Sequence, residues 1–175
     1  MCDETHNRVL HDLKLLSSLR ENDKIYAHEG HLRVEHGSLF RFVYRWSRGD
    51  SRIKSLLMIQ NILRDALQLA EFQIDRLMRK DSKLRDIEML TIKSRVVRLY
   101  CEVQRANVAL RHLRTTYFDD RSVVAQLDCV REEASERLNA IRQYVEEVDD
   151  SNSPHILEGF VVFDNFHSKV LNISG

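Results

Sequence analysis

The sequence predicts a mainly α-helical fold: an antiparallel bundle of long helices, or a coiled-coil arm, with a small antiparallel β-sheet. Three observations predict it: apolar stripes of helical period between residues 51 and 150, a short segment of strand-like alternation near residue 30, and two strand-like runs beyond the only proline. We expect a single domain. Residues 1–50 would form a helix, a hairpin and a short amphipathic helix, residues 51–150 three long helices, and residues 151–175 a linker and C-terminal strands.

The first fifty residues change period twice. Thr5 is the predicted N-cap of a first helix of about four turns, which closes before residue 21. Residues 24–36 alternate apolar and polar side chains around Gly30, which predicts a hairpin. Residues 38–49 fit either a strand, with four aromatic rings on one face, or a helix with caps at both ends. The agreement of the caps with the helical period favours the helix.

Three long helices follow. The first is expected from residue 50 or 51 to about Arg79, and its wide apolar stripe implies more than one neighbour. The second, central helix is expected from Ser82 to Arg114, and the third from Ser122 to about Val148. The central helix carries an a/d stripe, with steps of three and four residues, made of Met89, Ile92, Val96, Leu99, Val103, Ala106, Leu110 and Leu113.

The C-terminal part carries an acidic helix end and two strand-like runs. Acidic residues at 146–150 have the wrong sign for the C-terminus of a helix dipole, so we expect a cationic neighbour there. The runs at 160–163 and 169–173 have strand composition. They would pair with the N-terminal hairpin into one sheet, because an isolated hairpin is only marginally stable.

Composition excludes several classes of protein. The 27 basic and 27 acidic residues cancel, so no net field draws the chain to nucleic acid or to an anionic membrane. Three widely spaced cysteines indicate neither a disulfide framework nor a cysteine zinc site. The sequence shows no signal peptide and no apolar run of the roughly 18 residues that a membrane span needs. We therefore expect a cytoplasmic or otherwise intracellular protein, or one packaged inside a larger particle.

An arginine-rich segment is the candidate nucleic-acid site. Four arginines between residues 41 and 52 can bind phosphate, and the aromatic residues interleaved with them can stack on unpaired bases. In the helical interpretation of residues 38–49, the aromatic residues point into the core and only the arginine stripe remains on the surface. The same arginines can instead form ion pairs with acidic residues of the protein, which we expect more strongly. The four are Arg41, Arg45, Arg48 and Arg52.

Two further motifs have structural explanations. His28, His31 and His36 form the densest histidine group, but the spacing is not HExxH and a metal would need another ligand, so we expect a solvated hairpin and no metal. Arg48-Gly49-Asp50 spells an integrin-binding tripeptide, yet Gly49 and Asp50 suit a helix C-cap and the next N-cap.

No catalytic signature is present. The sequence has no P-loop, GxGxxG, GxSxG or HExxH motif, and the long helices lack the Glu-x-x-His pairs of a di-iron bundle. We expect a non-enzymatic structural or scaffolding subunit of a multi-subunit complex or virus particle, without cofactor or small-molecule substrate. It would dock through the central a/d stripe onto a partner or onto itself. The alternative is a nucleic-acid-binding module that uses the arginine face.

Overall fold

A computed structural model of the chain describes residues 2–36, 49–79 and 85–149. Most of these residues are helical, as the sequence predicts. The elements, in chain order, are α1 (Cys2–Ser17), β1 (Lys24–His28), β2 (His31–Glu35), α2 (Gly49–Met78), α3 (Asp86–Ala109), α4 (Arg111–Thr116) and α5 (Arg121–Asp149).

Helix α2 lies at the centre of the bundle. It packs against α1, α3, α5 and strand β1, which confirms that its wide apolar stripe serves more than one neighbour. Helix α3 also contacts α1 and α5, so α1 and α5 flank the α2–α3 pair. The buried apolar residues of α2 are Leu56, Ile59, Leu63, Ala66, Leu67, Ala70 and Ile74. Ile53 and Leu57, which the sequence places beside this stripe, are 39% and 46% exposed.

The three long helices alternate in direction. Arg52 of α2 bonds Asp120, which precedes α5, and Arg137 of α5 bonds Glu71, further along α2. Helices α2 and α5 therefore run in the same direction. Helix α3, which lies between them in the sequence, runs in the opposite direction. This arrangement confirms the antiparallel packing expected from the sequence, with α1 as a fourth helix on the other side.

The N-terminal hairpin forms as predicted. Strands β1 and β2 are antiparallel, with Lys24 opposite Glu35 and His28 opposite His31. Glu29 and Gly30 form the two-residue turn, with φ angles of 51° and 76°. Positive φ at both positions is the signature of a type I′ turn, whose twist matches that of the strands. Glycine is the residue that adopts this conformation without steric cost.

The central helix differs from its predicted extent. It begins at Asp86, where the Glu88 carboxylate accepts a hydrogen bond from the Arg85 backbone N–H at 3.2 Å. It ends at Ala109, and the chain continues as the short helix α4 after a break at Leu110. Leu110 and Leu113 keep their places in the core on either side of this break. The apolar period persists through the break, so the pattern alone could not reveal it.

Three predicted helix N-caps are wrong. Helix α2 begins at Gly49, so Asp50 and Ser51, the predicted N-cap positions, lie inside it, and Gly49 does not end a preceding helix. Helix α1 begins at Cys2, so Thr5 lies inside it. Helix α5 is capped by Asp120, because Asp120 Oδ1 accepts a hydrogen bond from the Val123 N–H at 3.3 Å, and Ser122 lies inside the helix. Near the acidic end of α5, Arg142 Nε of the same helix bonds Glu146 Oε1 at 3.0 Å. The expected cationic neighbour of the acidic residues at 147, 149 and 150 stays a prediction, because their side chains are outside what the structure describes.

Several predictions lie outside the described residues. They are the choice between helix and strand for residues 38–48, the helix start at Ser82, and the C-terminal strands at 160–163 and 169–173. In the part of the chain that is described, the sheet has two strands.

The hairpin is joined to the bundle by a buried tyrosine. The Tyr117 hydroxyl accepts a hydrogen bond from the Ile25 N–H at 3.3 Å. Burial raises the pKa of Tyr117 to about 12. At the open end of the hairpin, Asp23 directly precedes β1 and is buried. Its carboxylate accepts hydrogen bonds from the Arg20 N–H at 2.8 Å and from His36 Nδ1 at 3.2 Å.

We expect the free energy of unfolding to fall as the pH rises from 10 to about 12, because folded Tyr117 keeps a proton that the unfolded chain releases near pH 10. Tyr117→Phe should remove this contribution and cost about 1–3 kcal/mol at neutral pH, since the Ile25 N–H loses its acceptor. Urea unfolding followed by circular dichroism between pH 8 and 12 measures both effects. Tyr26→Phe is the matched control, and equal pH slopes for the two variants would contradict the assignment.

Candidate interaction surfaces

The a/d stripe predicted as a docking surface is the core of the chain itself. Helices α1, α2 and α5 cover it, so no partner reaches these side chains while the bundle is closed. Met89 is half-buried. The other six predicted interaction residues expose at most 4% of their surface: Ile92, Val96, Leu99, Val103, Leu110 and Leu113. A docking surface must therefore use residues outside this stripe.

Arg52, the described member of the predicted arginine face, is engaged within the fold. Its Nη1 donates a hydrogen bond to Asp120 Oδ2 at 3.0 Å, and its guanidinium carbon lies 5.2 Å from the centre of the Tyr117 ring. The bonds that Asp120 accepts from the Val123 N–H and from Arg52 hold the pKa of its carboxyl below the usual range. Arg41, Arg45 and Arg48 lie outside the described residues. For Arg52, the interpretation as an ion-pair residue is the one that its contacts support.

The three histidines of the hairpin do not converge. His28 and His31 flank the turn, whereas His36 lies at the opposite end of the hairpin and bonds the buried Asp23. His28 Nε2 lies 3.6 Å from Glu29 Oε1. Within residues 2–36, 49–79 and 85–149, no three His, Cys, Asp or Glu side chains come close enough to hold a metal ion.

A groove of about 300 Å³ lies between α1 and α2 on the outer side of the bundle. Val9 and Leu69 belong to the apolar core or pack against it, and Phe72 is 56% exposed. Arg8 lines the groove from α1 and Asp65 lines it from α2. Burial raises the pKa of Asp12, which lies one turn beyond Arg8; the charge of Arg8 lowers this pKa and the charge of Asp65 raises it. Thr5 and Gln68 complete the lining. The groove therefore combines an apolar centre with one positive and one negative group on opposite walls.

One residue of the sequence, Phe72, indicates this groove, but the apolar period of α2 does not include it. Phe72 falls between Ala70 and Ile74, off the buried face of α2. An aromatic residue on the outer face of an otherwise amphipathic helix marks exposed apolar surface, which is informative when it borders a concave site. The remaining large apolar residues that are exposed in the described part of the chain are Ile53, Leu57, Met78, Ile87, Leu90 and Phe118.

Comparisons of the chain with models of protein families, with curated proteins and with solved structures find no match. Its surfaces are therefore the basis for any functional inference. Among the helices of the described residues, none combines the length and the apolar character needed to cross a membrane.

If Arg52 is a structural residue, Arg52→Gln should lower the free energy of unfolding by about 1–2 kcal/mol, because it removes an ion pair and a cation–π contact. The matched control is Arg121→Gln, at an exposed position without an ion pair among the described residues, which should change stability by less than about 0.5 kcal/mol. Urea unfolding at neutral pH distinguishes the two. Equal unfolding midpoints for Arg52→Gln and the wild type would argue against the structural role.

Proposed function

We propose that this protein is a non-enzymatic assembly subunit that self-associates through the groove between α1 and α2. The observation that carries the proposal is the exposed ring of Phe72 beside a concave apolar site on an outer face of the bundle. Burial of an exposed aromatic side chain in a partner's pocket is a common source of binding energy in protein interfaces.

The charges of the groove support a second copy of the chain as the occupant. In a two-fold symmetric interface, a residue that contacts a second residue across the axis is contacted by it in return. An axis through the groove brings Arg8 of each copy toward Asp65 of the other, which forms two ion pairs around the apolar centre. Within the monomer, Arg8 attracts Asp12 of the same helix, and the charge of Asp65 also acts on Asp12. A pair between Arg8 and Asp65 across the axis therefore competes with the attraction between Arg8 and Asp12 of one copy.

The proposal keeps the assembly role expected from the sequence and changes the surface that performs it. The central a/d stripe holds the monomer together, and the outer faces of α1 and α2 hold the copies together. The absence of a catalytic motif from the sequence is the reason for proposing a non-enzymatic subunit. Such a subunit suits a larger protein assembly, in which other exposed apolar residues remain available for further contacts.

Phe72→Asp should weaken self-association by at least tenfold, because a carboxylate replaces the apolar ring at the centre of the interface. Phe118→Asp is the matched control: it makes the same change at a phenylalanine that is 78% exposed and does not line the groove. Light scattering coupled to size-exclusion chromatography, over a hundredfold range of concentration, gives the mass of each variant. A wild-type protein that stays monomeric throughout, or equal weakening by both substitutions, would overturn the proposal.

A charge swap tests the identity of the occupant. Arg8→Glu and Asp65→Arg should each weaken the dimer by about tenfold, because each places like charges together at two symmetric positions. The double variant should recover most of the wild-type affinity, since it restores opposite charges with the order reversed. Analytical ultracentrifugation gives the three dissociation constants. Additive weakening in the double variant would show that Arg8 and Asp65 do not meet across the interface.

A further inference from the structure

A group of arginines lies where α4 meets α5, away from the groove. Arg111 and Arg114 are three residues apart and share a face of α4, and Asp128 and Arg131 share a face of α5 in the same way. The bond from Arg114 Nε to Asp128 Oδ1, at 3.2 Å, joins the two faces. Arg131 Nε donates to the Asn107 carbonyl oxygen at 3.2 Å, which fixes its guanidinium beside α3.

The charge balance of this group is unlike that of the other arginines that contact a carboxylate. Elsewhere in the described residues, each of these arginines bonds an acidic side chain: Arg52, Arg64, Arg79, Arg95, Arg105, Arg137 and Arg142. Here Arg114 bonds Asp128, the charge of Asp128 also acts on Arg131 through space, and no described carboxylate forms an ion pair with Arg111 or Arg131. Burial lowers the pKa of Arg131 most, the charge of Asp128 partly offsets this, and repulsion from Arg111 and Arg114 lowers the pKa again.

The position of Arg131 is fixed by a buried asparagine. Asn107 exposes 6% of its surface, and its Nδ2 donates to the Arg131 carbonyl oxygen at 3.3 Å and to Ser135 Oγ at 3.0 Å. With the bond from Arg131 Nε to the Asn107 carbonyl, α3 and α5 exchange hydrogen bonds at this point. A guanidinium held in this way loses little side-chain entropy when it binds a ligand, so the site is partly preorganised.

We infer that Arg111, Arg114 and Arg131 form a binding site for a phosphoryl group, either free phosphate or the phosphate of a small monoester. A phosphoryl group carries about −1.5 to −2 charge at neutral pH and has three acceptor oxygens, which suits a group of three guanidinium groups in which Asp128 bonds only Arg114. Arginine pairs with phosphate through two parallel N–H bonds, which gives the contact both energy and direction. The site is independent of the proposed dimer.

The small extent of the group favours a small ligand over a nucleic-acid strand. Its members occupy one turn of α4 and one turn of α5, so the positive charge is confined to one compact patch. A strand is bound along a groove by basic groups that follow its backbone over several nucleotides. Asp128 limits the site further, because a ligand must compete with its carboxylate for Arg114.

The test is a titration of the full chain with sodium phosphate, followed through the arginine Nε–Hε signals in ¹H–¹⁵N NMR spectra at constant ionic strength. We expect saturable shifts of the Arg114 and Arg131 signals. Arg111→Gln and Arg114→Gln should each weaken phosphate binding by about tenfold or more. Arg85→Gln is the control, because it removes an exposed arginine roughly 39 Å away along α3 and α4 at 1.5 Å per residue and should leave binding unchanged.

A gain-of-affinity variant separates loss of the site from loss of the fold. Asp128→Asn removes the competing carboxylate and should tighten phosphate binding several-fold, an effect that misfolding cannot produce. Parallel titrations with glycerol phosphate and with a mixed-sequence RNA distinguish the sources of the phosphoryl group. Equal affinity for phosphate and glycerol phosphate supports a free-phosphate site, and tighter binding of glycerol phosphate supports a monoester ligand.

Four results would overturn the inference, three of which concern ligand binding itself. These three are the absence of saturable shifts with both phosphate and glycerol phosphate, weaker binding by Asp128→Asn, and shifts that occur with RNA alone. Equal losses of phosphate affinity in Arg111→Gln and Arg85→Gln would also overturn it, because they would show that affinity depends on the net charge of the protein and not on this site.

Discussion

The burial of α2 on three sides is the constraint on which the rest of this structure depends. Its apolar face is too wide for one neighbouring helix, so α1, α3 and α5 all pack against it, and β1 of the hairpin covers part of it as well. Burial of large aliphatic side chains is worth about 1.5–3 kcal/mol each, and α2 contributes Leu56, Ile59, Leu63 and Leu67 at no more than 2% exposure. This packing uses the apolar stripes of the long helices within the monomer, and it leaves the outer faces of the bundle for any interaction with other molecules.

Ion pairs then fix how the helices lie against one another. Arg64 bonds Glu133 at 2.9 Å and Arg137 bonds Glu71 at 2.9 Å, so two charged pairs align α2 with α5 on the surface of the bundle. Each exposed pair contributes less than about 1 kcal/mol, so their effect is on register more than on stability. Against this background, charged groups without such partners are informative. Arg8 and Asp65 at the groove, Arg111 on α4 and Arg131 on α5 form no such ion pair among the described residues, although Asp12 attracts Arg8 and Asp128 attracts Arg131 through space. We propose these groups as contacts for a second copy or for a ligand.

A small set of polar contacts joins the hairpin to one end of the bundle. A two-stranded hairpin is marginally stable by itself, and here Ile25 and Leu32 enter the core while Tyr117 accepts the Ile25 N–H. Arg52 lies over the Tyr117 ring and bonds Asp120, the cap of α5. The start of α2, the end of α4, the start of α5 and the hairpin are therefore coupled through three side chains. Such residues hold the framework in place and are distinct from the surfaces proposed to bind partners.

The amino-acid sequence by itself determined the helical class, the approximate extents of α2 and α5, and the hairpin with its Glu29-Gly30 turn, because helical period, strand alternation and turn chemistry are local properties of a chain. It also identified the stripe from Ile92 to Leu113 as apolar. Only the tertiary structure decided what that stripe faces, since the same a/d pattern serves a core and an interface equally well. The structure also decided that Asp120 caps α5, that Arg52 is engaged, and that Arg8 and Asp65 meet Phe72 at one groove. These outcomes depend on residues far apart in sequence being brought together, and no local pattern encodes that proximity.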